Sequence, residues 1–174
     1  MSRETKAIRT NLHFALLLGL LSSSAAAFAH QGHVHGGGSG KSQDVLKSRQ
    51  VVLEGVNDAY VRTVKTIFAK KCMDCHSAQT KFPWYYKLPG VKQLIDRDIA
   101  ESRRHLDMTK DFPFAGHGTP EEDLDAIEKT VIEGTMPPFR YRLMHRGASF
   151  ADEEKTVILD WIENSRKLLR SSGK

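Results

Sequence analysis

Cys72 and Cys75 are the only two cysteines in the chain, and His76 follows the second directly, in the run Cys72-Met73-Asp74-Cys75-His76. Two thiols three positions apart can each add to one of the two vinyl groups of a haem. The next residue then projects its imidazole beneath the iron, so this spacing reads as covalent attachment of one haem c, with His76 as an iron ligand. Other chemistries use the same residue types. A thioredoxin-like redox pair expects βαβ surroundings, which the sequence does not offer. A zinc site needs two further ligands and would have to recruit histidines. A disulfide between Cys72 and Cys75 would close only a very small loop. With two cysteines, a disulfide framework is excluded as the organising principle.

An electron carrier fills the sixth iron position with Met or His, and a Met/His pair raises the reduction potential. Met136 is the best candidate for that position. Pro137 follows it and pushes it out of helical backbone into an extended geometry, and Pro138 stiffens the same loop. Sulfur is a soft, neutral ligand suited to low-valent iron; the competing role for Met136 is gap-filling in a core. Met108, Met144, His105, His117 and His145 are rivals. Of these, His117 lies between Gly116 and Gly118 and is expected to be the most mobile, whereas His145 is expected to make a structural hydrogen bond. Trp84 is a candidate for lining the cofactor, being close in sequence to the attachment motif. Tyr85, Arg140 and Tyr141 are further candidates for lining the haem or bonding a propionate.

Helices must position these groups. Asn57 or Asp58 can cap a helix in which Tyr60, Val61, Val64, Ile67 and Phe68 share a face at helical spacing, and which runs into Cys72. Breaks follow at Phe82-Pro83-Trp84 and Leu88-Pro89-Gly90. Val91, Leu94, Ile95, Ile99 and Leu106 mark a second amphipathic helix. Residues 111–118 form a loop rich in aromatics and glycine. Thr119-Pro120-Glu121-Glu122 is a strong helix start, with Leu124, Ile127 and Val131 inward and Gly134 closing the helix. A last helix covers about 151–168, with Val157, Ile158, Trp161 and Ile162 inward and Asp152, Glu153 and Glu154 in its first turn, where the dipole favours them. No alternating apolar run supports a strand of useful length. The reading is an all-α, cytochrome c-like domain of four to five helices around one covalent haem, with the cofactor supplying the centre that a modest apolar core lacks.

Residues 1–29 read as a signal peptide. Arg3, Lys6 and Arg9 precede an apolar run from Phe14 to Leu21 that is too short to span a bilayer, and Ala27-Phe28-Ala29 has the form of a cleavage site. An uncleaved anchor is the alternative, but Ser22, Ser23 and Ser24 interrupt the stretch, so no stable membrane anchor is expected. The protein is expected to be periplasmic or otherwise exported, which suits a cofactor attached after export. Residues 30–55 read as a His/Gly-rich flexible tail and linker, with a partial helix of ill-defined boundary over Gln43 to Glu54, and 56–170 as the haem-binding domain. His30, His33 and His35 could capture copper or another metal. Losing Arg3, Lys6, Arg9 and Glu4 takes the formal net charge from +5 to +3. So mild a positive balance gives no reason to expect nucleic acid and at most favours an acidic partner.

Several runs together carry a resemblance. Cys72-Met73-Asp74-Cys75-His76-Ser77, Thr80 and Pro83-Trp84-Tyr85 resemble the small haem-binding domain family of exported bacterial proteins. So do Asp98-Ile99 with Arg103 and His105-Leu106, and Met136-Pro137-Pro138 with Tyr141, His145, Ala148, Asp152-Glu153-Glu154 and Trp161-Ile162. The resemblance covers about 56–162. It implies a cytochrome c-like helical domain with one covalent haem, and little about partner or pathway. Two positions depart from the pattern: Ala151 stands where a Ser cap is expected before Asp152, leaving Ser149 as a substitute cap, and Ser102 precedes Arg103.

The leading expectation is a monohaem electron carrier with His76 and Met136 as axial ligands, meeting a redox partner protein in brief, small-area encounters. A haem-based sensor or peroxidase-like enzyme with an open sixth position is the alternative, for which Arg103, Arg104, His105 and His117 could supply distal polar groups. Metal handling by the His-rich tail is a third.

Overall fold

The computed structural model describes residues 39–171; the expected signal peptide and the histidines of the tail lie outside the described residues. Helices α1 (Ser39–Thr63), α2 (Lys65–Lys71) and α3 (Met73–His76) run almost end to end. They are followed by a single 3₁₀ turn (Trp84–Lys87), α4 (Val91–His105), the two-residue strands β1 (Leu106–Asp107) and β2 (Ala115–Gly116), then α5 (Pro120–Glu133), α6 (Phe139–Met144) and α7 (Asp152–Ser171). Seven α-helices among the described residues confirm the all-α reading and exceed the expected four to five, because the path expected as one helix is interrupted at Val64 and Cys72 and the short α6 was not expected.

The centre of the domain is aromatic. Val56, Tyr60, Val64 and Phe68 are fully buried or nearly so, and their four-residue spacing puts them on one stripe of the α1–α2 path. Val61, expected on that face, is exposed instead. Helix α7 answers with Ile158, Trp161, Ile162, Ser165 and Leu169, and α5 with Leu124, Ile127 and Val131, as expected; Val157, expected inward, lies outside this set. Tyr60 packs edge-on to Phe114 (centroids 5.2 Å apart) and tilted against Trp161 (5.6 Å). Phe112 meets Trp161 edge-on at 5.8 Å. Such pairs contribute about 0.5–1.5 kcal/mol each beyond their buried area. Phe112 and Phe114 come from the loop expected only to connect helices, so the domain owns an aromatic core beside whatever a cofactor supplies.

Local sequence sets the ends of α5. The Thr119 side chain accepts from Glu122 N–H at 3.3 Å, the Glu122 carboxylate accepts from Thr119 N–H at 2.8 Å, and Gly134 takes the left-handed backbone (φ 64°) that closes the helix. Helix α7 starts differently. Ala151, not Ser149, stands at its cap; Ala151 N–H donates to Glu154 at 2.8 Å, supplying half of a capping box. Helix α1 begins well before the expected domain boundary near residue 56. Its early turns are held by Arg49, whose guanidinium reaches Glu121 of α5 at 3.0 Å, and by Val52 and Leu53 packing on the core.

Candidate haem site

Cys72 ends α2 and opens α3 with backbone outside the helical region (φ −122°, ψ −41°). The bend lets Cys72, Cys75 and His76 share one short turn at the edge of the core, against which Cys72 packs. Both thiols are free. Burial, aided by the neighbouring Cys75 charge and opposed by Lys71, pushes the Cys72 thiol up to about 12. Burial, with Asp74 and Asp98, pushes Cys75 up to about 11. Both stay protonated at neutral pH, unlike the low-pKa thiolate of an activated redox CxxC pair.

His76 is oriented by the strand that follows α4. Its Nδ1 lies 2.8 Å from the Leu106 carbonyl, which can only accept, so Nδ1 carries the proton and Nε2 the lone pair. Burial holds the ring below its ordinary titration range, against the opposing pull of the Leu106 carbonyl and Asp107. A neutral imidazole with its Nδ1–H fixed by a carbonyl is the arrangement seen in metal-ligating histidines. The residue just after that strand grips the motif a second time, Met108 N–H donating to the His76 carbonyl at 2.6 Å. Strand β1 is in turn paired with β2, Leu106 opposite Gly116. Gly116 adopts φ +133°, and a Cβ there would meet the His105 carbonyl oxygen at 2.6 Å, so only glycine allows this approach. The two-residue sheet is too short to show in an alternation pattern, and no sequence signal marked Leu106 as a partner of His76.

This donor set fits a covalently held haem: two protonated thiols and a neutral, oriented imidazole in one turn. The other candidates are placed as follows. Met136 lies on the loop between α5 and α6 and is exposed, ahead of a buried Pro137. Met108 is buried in the aromatic core, and Met144 is exposed at the end of α6. Trp84 is 78 % exposed, its ring edge-on to Tyr85. His145 makes a structural hydrogen bond, Nδ1–H to the Tyr141 carbonyl at 3.0 Å. His117, expected to be mobile, is tied down: its Nε2 lies 2.7 Å from His105 Nδ1, and His105 Nε2 lies 2.9 Å from Glu101. Arg103 pairs with Asp107 at 2.8 Å and Arg104 with Glu101 at 2.6 Å, while Arg140 reaches Asp98 at 3.3 Å.

No solved structure matches the chain. The chain is 36 % identical over 99 residues to the cytochrome c peroxidase Ccp of Escherichia coli (strain K12), a stretch covering 56 % of this chain and 21 % of that protein. It therefore spans about a fifth of the relative it matches. Residues 41–164 match the family described as Haem-binding domain, beginning within α1 and ending within α7, so the fold and the site just described belong to one unit. The chain is a member of the haem-binding domain family.

Proposed function

We propose that this domain is a monohaem c-type electron carrier, its haem joined to Cys72 and Cys75 and its iron held by His76 and Met136. The observation that carries the proposal is the tautomer of His76, fixed by the Leu106 carbonyl at 2.8 Å in the same turn as two protonated thiols. When bound, the haem supplies a one-electron couple whose potential is set by its ligands and burial. The chain's own residues attach it, orient the imidazole and hold it neutral. An exported location, with residues 1–29 removed, suits such attachment, and the partner would be another redox protein.

The name of the Escherichia coli relative raises a peroxidase-like reading with an open sixth position. One observation favours the carrier. The polar groups that could assist cleavage of a peroxide bond are engaged elsewhere: Arg103 with Asp107, Arg104 with Glu101, and His105 with His117.

The test is the absorption spectrum of the haem-loaded ferrous protein before and after carbon monoxide, alongside Met136→Ala. A low-spin parent that ignores carbon monoxide, and a variant that keeps its haem, binds carbon monoxide and has a lower potential, are expected. A parent that binds carbon monoxide readily would favour a sensor or enzyme. A variant indistinguishable from the parent would remove Met136 as the ligand.

A further inference from the structure

Helix α6 follows directly on Met136-Pro137-Pro138 and is only six residues long, with none of its side chains fully buried. Apolar burial therefore cannot fix where it sits. Polar contacts do so instead. The Tyr141 hydroxyl donates to Asp74 Oδ2 at 2.8 Å, and Asp74 stands between the two cysteines of the attachment motif. The other Asp74 oxygen accepts from Lys81 N–H at 3.1 Å, so the carboxylate is held from two sides. The Tyr141 ring stacks on His145 (centroids 3.9 Å apart, 14° between planes). His145 is anchored to the Tyr141 carbonyl and faces the Tyr85 hydroxyl at 3.4 Å. The remaining tie from α6, Arg140 to Asp98 at 3.3 Å, joins two exposed side chains, and such pairs contribute little.

We propose that Tyr141, bonded to Asp74, is the positioning residue for the sixth ligand: it fastens the start of α6, and with it the Met136 loop, to the turn that carries the haem. The inference rests on the reading of Met136 as that ligand. The contact crosses 67 positions of sequence and joins the two segments whose residues would hold the iron. A neutral hydroxyl donating to a carboxylate makes one of the stronger hydrogen bonds available to a side chain. Without it, α6 has no comparable hold on the motif, and Met136 yields more easily to an outside ligand.

Imidazole is the probe, titrated into the ferric haem-loaded protein and followed by absorption. Tyr141→Phe is expected to bind imidazole about tenfold more tightly than the parent, the scale of one hydrogen bond to a charged group, and to weaken the charge-transfer band of the methionine-ligated ferric form. Asp74→Ala should do the same. The double variant should rise no further than either single one, as coupled partners require. Tyr86→Phe is the control: it removes a comparable tyrosine–carboxylate bond, to Asp96 at 2.6 Å, that does not reach α6, and should leave the affinity unchanged. Met136→Ala separates the two ideas. If it fails to raise imidazole affinity, the ligand assignment and the Tyr141 role both fall. If it raises the affinity while Tyr141→Phe and Asp74→Ala stay within about twofold of the parent, a difference too small for a charge-assisted bond, only the Tyr141 role falls. Additive effects in the double variant would also overturn it, and if one single variant does not fold, the other decides the same question.

Discussion

Asp123 offers the most quantitative test of the packing. It sits in the first turn of α5, 4 % exposed, with Oδ2 lacking any hydrogen-bond partner. Burial, reinforced by the Glu122 charge, pushes its carboxyl from 3.8 up to about 6. A carboxyl whose pKa is raised in the folded state binds its proton more tightly there than in the unfolded chain. Stability from this group is therefore greatest below its unfolded pKa and falls as the pH climbs from about 4 to about 6. The full loss, for a shift of this size, is about 3 kcal/mol. Asp123→Asn removes the titration. The difference in unfolding free energy between variant and parent should accordingly move in the variant's favour by about 2.4 kcal/mol between pH 4 and pH 7. Urea unfolding of the haem-loaded pair at several pH values measures it, since every other titrating group cancels in the difference. A difference that stays flat across that window would refute the reasoning, and so would one that moves in the parent's favour.

Three further outcomes follow from the same coordinates. Tyr60 is fully buried and its hydroxyl has no partner, so Tyr60→Phe should stabilise the domain by about 1 kcal/mol; a lower urea midpoint would show that the hydroxyl is satisfied. Trp161 packs against Tyr60, Phe68 and Phe112, and Trp161→Ala should cost about 3–5 kcal/mol in the apoprotein as well as in the haem-loaded form. A cost confined to the loaded form would mean that the cofactor, not the aromatic cluster, organises the core. Gly116→Ala forces a side chain toward the His105 carbonyl at a backbone angle that L-residues rarely adopt. It should cost about 1–3 kcal/mol in urea unfolding and shift the haem potential, because β2 supports the strand whose carbonyl orients His76. An unchanged potential would detach the sheet from the control of the iron.

What the sequence disclosed about this domain depended on how local the signal was. The Cys72–His76 run and the caps of α5 are written in short local stretches, and the caps are where they were expected. The start of α1 was only partly legible, because Val45, Leu46 and Val51 before Val56 stay exposed and mark no buried face. What holds it is packing of Val52 and Leu53 on a core assembled from distant segments, to which the exposed Arg49–Glu121 pair adds little. Phe112 and Phe114 look like loop aromatics until α1 and α7 close around them. His117 looks mobile between two glycines, yet Gly116 allows the close backbone approach that places it beside His105.

The same distinction runs through the site itself. The residues that would bond the haem are legible because covalent attachment demands a fixed short spacing. The residues that orient them are not, because orientation comes from carbonyls and side chains supplied by other elements: Leu106 for His76, and Tyr141 for the turn around Asp74. Leu106 acts through its backbone, so its side-chain identity says nothing of the role, and the bond depends on β1 being held in register by Gly116. Tyr141 acts through a hydroxyl 67 positions from its acceptor. If these two contacts set the iron's ligation as argued, then variants that keep the motif but change Gly116 or Tyr141 should retain their haem and alter its properties. Attachment and tuning would thus reside in different residues of one small domain.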